Sequence, residues 1–283
     1  MKAPEVNLLK MHKDGMDYTI CKPEYPLSIF IDHFMVAKGF PLFSEERLFP
    51  GNKIELFINL GSRNECKLSF SDQRFVFSGT ILSGLRTSYL EIYPGEFFFI
   101  AGIRFSLFGF HHLLKIPANE ITDDNFEASD VLGKELKELR EKLGDHTDEN
   151  QIIHELLNWT IQKIIKCSDV SKAWLNLENA LQFDRSLNKI SLDKLMGYSH
   201  KHTVELFKKK AGLSPKQIQS IYRLNMVFDH LHQIDTENWS YVLHEAGYYD
   251  QSHFIKDFKR FTGFTPTEFL RENPKDFELK KLR

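Results

Sequence analysis

The sequence predicts an α+β multidomain protein, in which a β-rich, barrel-like N-terminal domain with trailing helices precedes an all-α C-terminal domain. Three observations predict this fold class: strand-like stretches up to about residue 105, leucines at helical spacing after it, and a helical repeat in the last third. The 283 residues are enough for two domains that each bury a core. We predict domains at 1–165 and 172–283, joined by a linker at 166–171.

The N-terminal domain is predicted to consist of strands, because residues 53–60, 66–70 and 74–82 are rich in β-branched and aromatic side chains between Gly, Ser and Asn. Pro94 and Gly95 predict a type II turn that joins two antiparallel strands. The apolar run 97–110 contains Arg104 and is shorter than the roughly 20 residues of a transmembrane helix, so it predicts a buried strand. Arg104 is either a contact for an anionic ligand inside the barrel or a surface charge at its rim. The Phe-rich strands also suggest an apolar pocket.

Two trailing helices are predicted after the strands. Leu132, Leu136, Leu139 and Leu143 recur at intervals of four, three and four residues, which places them on one helical face. A second helix is expected at 149–165. The leucine stripe either packs on its own domain or pairs two subunits into a homodimer, and the pattern leaves both open.

The composition argues against several classes of protein. The three cysteines (Cys21, Cys66 and Cys167) are widely spaced, without a Cys-x-x-Cys pair, and are predicted to be reduced. The N-terminus lacks the apolar stretch of a secretory signal, so we expect a cytoplasmic protein with no membrane partner. His111 and His112 are adjacent and cannot share one face of a helix or strand, which disfavours a metal site. No catalytic or nucleotide-binding motif occurs, so neither an enzyme nor a cofactor is expected.

The charge is distributed unevenly along the chain. Residues 1–169 contain 19 Lys and Arg against 25 Asp and Glu, whereas residues 170–283 contain 18 against 14. An acidic N-terminal part beside a basic C-terminal part is typical of nucleic-acid binding that is confined to one domain.

The most informative pattern is an internal repeat at an offset of 51 residues in the last third. GLSP at 212–215 returns as GFTP at 263–266, and FKK at 207–209 returns as FKR at 258–260. Each copy contains a short helical stretch, a Gly followed by a Tyr, a polar residue that can begin a helix, a longer amphipathic helix and a stop. This order predicts two helix-turn-helix units.

Particular residue types suit particular places in these units. Gly197 and Gly247 can adopt the left-handed backbone that a sharp turn needs. Ser199 and Asp250 can cap the helices that follow by accepting hydrogen bonds from free N–H groups.

In the second copy, Phe254, Phe258 and Phe261 lie at i, i+4 and i+7 and form a stripe that is predicted to be buried. The opposite face carries short polar and cationic side chains, which suit the major groove of DNA. The alternative is that two helical hairpins pack on each other and the lysines are merely solvated.

The segment from about Asn188 to Leu270 resembles the DNA-binding domain of the AraC/XylS family of bacterial transcription regulators. GYYDQSHFIKDFKRFTGFTP is similar to the second-unit signature of that family, and SHKHTVELFKKKAGLSPK is similar to its first recognition helix. The resemblance implies helix-turn-helix units at about 190–211 and 239–262, a linking helix at about 215–233, and recognition helices at His200–Lys210 and Gln251–Thr262. The DNA-binding residues expected from it are Ser199, His200, Lys201, His202, Glu205, Lys208, Gln251, Ser252, Lys256, Lys259 and Arg260.

The first unit departs from the family pattern. Its opening helix, at 190–196, is short, Thr203 stands where an apolar core residue is usual, and Glu205 stands where the second copy has Lys256. Because Glu can accept a hydrogen bond from cytosine but repels phosphate, this unit is expected to bind more weakly or more selectively.

The predicted function is sequence-specific binding of double-stranded DNA to activate or repress transcription, modulated through an N-terminal sensor domain. The resemblance implies RNA polymerase as a protein partner and leaves a small-molecule effector and a homodimer open. The alternative is an N-terminal domain that binds or converts a small molecule, with the helical repeat as a protein-interaction module.

Overall fold

The computed structural model describes residues 8–71, 73–165, 174, 177–178, 181, 192–230 and 243–272. The predicted linker at 166–171 lies outside these residues. So do Cys167 and the predicted helical residues at 190–191, 231–233 and 239–242.

The described residues of the N-terminal part form eleven strands in two antiparallel sheets. The seven-stranded sheet has the order β1-β2-β3-β10-β5-β8-β11, and the four-stranded sheet has the order β4-β9-β6-β7. The strands are β1 (Leu8–Lys13), β2 (Met16–Cys21), β3 (Ile31–Gly39), β4 (Glu46–Leu48), β5 (Glu55–Asn59), β6 (Asn64–Leu68), β7 (Arg74–Phe77), β8 (Thr80–Ser83), β9 (Leu90–Tyr93), β10 (Phe98–Phe105) and β11 (Asn125–Glu127).

The two sheets face each other across a small apolar core. Cys66 and Leu90 of the four-stranded sheet pack there with Ile81 and Ile100 of the seven-stranded sheet. The predicted β-rich N-terminal part is confirmed, although its strands divide between two sheets and do not close into one barrel.

The Pro94-Gly95 turn differs from its prediction. It joins β9 and β10, which lie in different sheets and are not paired with each other. Gly95 is also absent from the glycines with positive φ, so the type II prediction is wrong. Glycine is needed here for another reason, since a Cβ at this position would clash with the carbonyl oxygen of Arg63.

Helix α1 (Gly109–Leu114) lies between β10 and β11, and three helices of the described residues follow β11: α2 (Ala128–Leu132), α3 (Lys134–Gly144) and α4 (Glu149–Ile165). The predicted leucine helix is divided in two, because Gly133 has a φ of +73° and ends α2. Leu136, Leu139 and Leu143 are buried in the core of their own chain. The stripe therefore packs on its own domain and does not supply a dimer surface. Helix α4 has the predicted bounds.

The C-terminal part is helical, with α5 (Leu192–Met196), α6 (His200–Ala211), α7 (Pro215–His230), α8 (Gln251–Thr262) and α9 (Pro266–Glu272). Residues 243–245, ahead of α8, are also helical. This arrangement confirms the predicted all-α C-terminal part. Among the described residues, no helix is both long and apolar enough to cross a membrane.

One apolar core continues from the seven-stranded sheet through the trailing helices into both helical units. In the first unit, the ring of Phe207 lies 5.6 Å from that of Phe108 next to α1, and Thr122 donates a hydrogen bond of 2.9 Å to the carbonyl of Gly212. The helical units thus rest directly on the N-terminal part.

Candidate nucleic-acid interface and cavity

The longer helix of the second unit, α8, separates its side chains into a buried and an exposed face as predicted. Phe254, Phe258 and Phe261 are all at most 1 % exposed. The ring of Phe258 packs against Phe254 and Phe269 with centroid distances of 5.4 and 5.3 Å. All the candidate DNA-binding residues of this helix are exposed: Gln251, Ser252, Lys256, Lys259 and Arg260.

The corresponding helix of the first unit, α6, buries Thr203 and Phe207. Its candidate DNA-binding residues are exposed as well: Ser199, His200, Lys201, His202, Glu205 and Lys208. His200 is turned toward α5, where its Nδ1 lies 3.1 Å from the Asp193 carboxylate. Glu205 places a carboxylate on the exposed face of α6 at the position where α8 has Lys256, so this face of α6 is the less cationic of the two.

The caps and turns agree with the sequence. Gly197 and Gly247 have φ values of +70° and +74°. Ser199 accepts a hydrogen bond of 3.3 Å from the His202 N–H, and Asp250 accepts one of 2.7 Å from the His253 N–H. Each cap satisfies a free N–H at the start of an exposed helix, where the helix dipole also attracts anions.

The sequence reasoning missed two features of α8 and its turn. Tyr249 is 95 % exposed beside the helix N-terminus, and nothing in the repeat distinguished it from its buried neighbour Tyr248. Asp257 is buried, and its carboxylate pairs with Arg260 at 2.9 Å. The spacing of Asp257 and Arg260 at i, i+3 is a pattern that could have indicated this pair. The guanidinium of Arg260 is therefore held against its own helix.

A cavity of about 610 Å³ lies between the two sheets and extends to α7. The α7 residues in its wall include Tyr222, Asn225 and Met226. Helix α7 also joins the two helix-turn-helix units, so one element is shared by the cavity and the candidate nucleic-acid interface. The presence of this cavity agrees with the pocket suggested by the Phe-rich strands.

Arg104 lies in the cavity wall and not at an outer rim. Its Nε donates a hydrogen bond of 2.7 Å to Glu55 on the neighbouring strand. Of the two interpretations of Arg104, the location favours the cavity, but Glu55 already neutralises its charge.

A second charged group, at Lys53, lies in the cavity wall near Tyr222 of α7. Lys53 contacts Glu178 at 2.6 Å and Asp32 at 3.5 Å. Burial alone would lower the pKa of Lys53, but the charges of Glu178 and Asp32 raise it. Burial likewise opposes ionisation of Asp32, yet the hydrogen bond with His33 and the charge of Lys53 hold the pKa of Asp32 well below its usual range. Lys53 and Asp32 are therefore both in their charged forms at neutral pH.

The segment 46–53 connects the cavity to the helical C-terminal part. Its residues line the cavity, and two of them also contact residues of that part. The guanidinium of Arg47 lies 4.5 Å from the centre of the Phe264 ring. The ring of Phe49 stacks on Phe228 of α7 at 5.4 Å and contacts Phe269 of α9 at 5.6 Å. A change in the shape of the cavity would therefore alter these contacts of Arg47 and Phe49.

Comparison with protein families identifies the C-terminal segment. The family described as "Helix-turn-helix domain" matches residues 192–272, which contain both units and the helix between them. The segment is an AraC-type helix-turn-helix domain. The family described as "Domain of unknown function (DUF6597)" matches residues 19–127, which span β2 to β11. No curated protein matches the chain in sequence.

Solved structures of ToxT from Vibrio cholerae are similar over 84 % of this chain. Apo ToxT is 12 % identical, is covered over 97 % of its length and has a TM-score of 0.46. ToxT bound to an unsaturated fatty acid is 10 % identical, is covered over 94 % and has a TM-score of 0.42. Because these identities are low, the AraC-type assignment rests on the family match at residues 192–272 and not on the ToxT structures.

Proposed function

We propose that this protein is a sequence-specific, double-stranded DNA-binding transcription regulator whose DNA binding is modulated by a small molecule in the cavity. The AraC-type helix-turn-helix domain supports the assignment to the DNA-binding proteins. The observation that carries the modulation is that α7 is both a wall of the cavity and the connection between the two recognition helices.

Helices α6 and α8 are proposed to enter successive major grooves, about one helical turn of DNA apart. Gln251, Ser252 and Lys256 lie in the first half of α8 on its exposed face, where a recognition helix contacts base edges. Lys201, Lys208, Lys259 and Arg260 are proposed to contact phosphates. Arg260 is expected to contribute less than the lysines, because Asp257 already pairs with it.

The two units are proposed to contribute unequally. Lys256 offers a cation to the groove, whereas Glu205 of the first unit offers a carboxylate to a polyanion. The packing behind the two helices also differs, since Phe254 fills its core position with an aromatic ring and Thr203 does not. We propose that the second unit dominates affinity and that Glu205 acts, if at all, through a cytosine.

The cavity is proposed to act on the domain through α7 and the segment 46–53. A ligand changes DNA binding only if it binds two arrangements of the units with different affinity. A molecule that contacts Tyr222 and Met226 in the cavity touches the helix that sets the spacing of the recognition helices. A shift of Phe49 would reach α8 through Phe269, which packs against Phe258. Ligand binding and the placement of α8 are thereby linked.

The DNA-binding part of the proposal is tested by fluorescence anisotropy with the full chain and a duplex selected from random sequences. Lys256→Ala should weaken specific binding by about 1 to 3 kcal/mol, or roughly 5- to 150-fold. Lys137→Ala is the matched control, because Lys137 is an exposed lysine on α3. Equal affinity of the two variants would contradict the assignment of the recognition face.

The modulation is tested by filling the cavity. Ile92 lines it, and Ile92→Trp places a large side chain in the space a ligand would occupy. The control variant is Val76→Trp, which introduces the same large side chain at a β7 residue that is 57 % exposed. We expect Ile92→Trp alone to change DNA affinity, by about threefold or more. If both variants bind DNA like the wild type, the cavity does not communicate with the recognition helices.

A further inference from the structure

A row of polar residues crosses the seven-stranded sheet in the cavity wall. Arg104 lies opposite Glu55, Glu55 opposite Ser83, and Ser83 opposite Asn125, on β10, β5, β8 and β11. Directly opposite residues of antiparallel strands are neighbours on one face of the sheet. All four side chains line the cavity, so they form a polar strip in its wall.

Arg86 adds a second cation at the β11 end of this strip. Its guanidinium is buried, with the residue 8 % exposed, and its Nη2 donates to the Ser83 hydroxyl and, at 2.7 Å, to Oδ1 of Asn125. Both acceptors are uncharged. Arg104 at the other end donates a hydrogen bond to the Glu55 carboxylate. The charge of Arg104 is therefore balanced by a hydrogen-bonded anion, whereas the hydrogen-bond acceptors of Arg86 are neutral.

Two hydrogen-bond donors of this pair remain unused. Among the described residues, neither Nε of Arg86 nor Nδ2 of Asn125 has a hydrogen-bond partner, and both atoms are buried. Burial lowers the pKa of Arg86, while the charge of Glu55 acts from a distance to raise it. A buried cation with unpaired donors is costly unless an acceptor, best a negative one, completes it.

Much of the remaining cavity wall is apolar. It includes aromatic and aliphatic side chains from both sheets: Phe57, Phe75, Phe77, Leu90, Ile92 and Phe98. The volume of about 610 Å³ is that of a pocket for a small organic molecule. The cavity thus combines a large apolar space with unpaired donors beside the cation of Arg86.

We propose that the cavity binds a small molecule with an apolar body and one oxyanion group, a carboxylate or a sulfonate. A rotation of the two side chains on binding presents Nε of Arg86 and Nδ2 of Asn125 to its oxygens, and its body lies among the aromatic side chains. This inference rests on the proposed function in taking that cavity as the effector site, and it names the class of effector.

The test uses two fluorescent probes with the same ring system. 8-Anilinonaphthalene-1-sulfonate carries an oxyanion, and N-phenyl-1-naphthylamine lacks it. Each is titrated into the full chain, and the occupied cavity is verified by loss of binding in Ile92→Trp. The wild type should bind the sulfonate about tenfold more tightly than the neutral probe, because hydrogen bonds to a charged partner are the stronger ones. Equal affinities, or no binding of the sulfonate, would overturn the proposal.

Variants of the donor pair then locate the oxyanion. Arg86→Met removes the cation and should weaken sulfonate binding about tenfold or more while leaving the neutral probe nearly unchanged. Arg63→Met makes the same change at an exposed arginine and should alter neither. Asn125→Asp serves as a second variant should Arg86→Met not fold, since it keeps the acceptor for Arg86 but places a competing negative charge beside it. Retained sulfonate affinity in the variant that folds would overturn the proposal.

The DNA-binding readout separates this inference from the proposed function. If the sulfonate binds through Arg86 but leaves the affinity for DNA unchanged, the oxyanion site stands and the proposed modulation fails. If Ile92→Trp changes DNA affinity while the sulfonate and the neutral probe bind equally, the modulation stands and the oxyanion site fails.

Discussion

Thr203 provides a sharp test of the packing in the first helical unit. It is 1 % exposed on α6, and its hydroxyl has no hydrogen-bond partner among the described residues. A helical threonine can donate to the carbonyl four residues earlier. That carbonyl belongs here to the cap residue Ser199, which accepts the backbone N–H of Thr203 at 2.9 Å but not its hydroxyl. The substitution Thr203→Val removes the unpaired hydroxyl and nearly keeps the shape of the side chain.

The expected size follows from the cost of a buried group without a partner, about 1 to 3 kcal/mol. Because a hydroxyl can partly relax, we take the lower end and expect Thr203→Val to raise the free energy of unfolding by about 1 kcal/mol. For a chain of this size, that corresponds to an increase in melting temperature of about 2 to 4 °C.

Thr262 is the matched control in the second unit. It is 0 % exposed on α8, and its hydroxyl donates 2.8 Å to the carbonyl of Phe258 and accepts from the N–H of Phe264. Thr262→Val should therefore lower the free energy of unfolding by about 1 to 2 kcal/mol. The assay is urea denaturation followed by circular dichroism, at one protein concentration for all three proteins. If both variants lose stability by similar amounts, the Thr203 hydroxyl is satisfied and the reasoning is wrong.

Three further predictions concern packing, charge and pH. Phe258→Ala should destabilise the protein by about 3 to 5 kcal/mol, because a fully buried ring is removed, whereas the exposed Lys259→Ala should change stability little; equal melting temperatures would show that the two faces of α8 are misassigned. Glu205→Ala should leave specific DNA affinity unchanged or tighten non-specific binding in anisotropy measurements; a loss as large as that of Lys256→Ala, tied to one cytosine of the site, would make the first unit a specific reader. Because the pKa of Asp32 is lowered in the folded state, its charge stabilises the protein above the unfolded-state pKa of about 3.9, and this contribution is lost as the pH falls below that value. Denaturation at pH 3 and pH 7 should therefore show a smaller loss of stability on acidification in Asp32→Asn than in the wild type, and equal losses would contradict this.

The second helical unit could be predicted almost entirely from the sequence. The phenylalanine stripe, the cap Asp250 and the left-handed Gly247 depend on contacts and backbone angles within about twenty residues. Such local signals are visible as period, spacing and residue type. The burial of Thr203 also follows from comparison of the two copies, since an apolar residue stands at the equivalent place in the second, whereas its unpaired hydroxyl is visible only in the structure.

The sheets were harder to predict, because strand pairing joins residues that are far apart in sequence. The Pro94-Gly95 signal indicated a turn but could not show that the strands on either side belong to different sheets. One hairpin was overlooked although its signal was present: Asp14-Gly15, with φ values of +50° and +77°, joins β1 to β2. An Asp-Gly pair between two strands is typical of a tight hairpin.

The candidate cavity site shows the same limit more strongly. Arg86 and Asn125 are 39 residues apart and meet only through the pairing of β8 with β11. Neither residue is part of a motif, and the sequence gives no sign that their donors are left unpaired. Arg104 was recognised as a candidate, but its partner Glu55 could not be identified without the register of β5 and β10.

The central claim, that the two recognition helices read duplex DNA, is tested most directly by selecting bound sequences from a random duplex library with the purified full chain. We predict an enriched site with two blocks centred about one helical turn apart, and an affinity for it that falls steeply as salt increases. The block contacted by the second unit should be the more strongly conserved of the two. A folded protein that enriches no sequence and has no measurable affinity for duplex DNA at low salt would contradict the account.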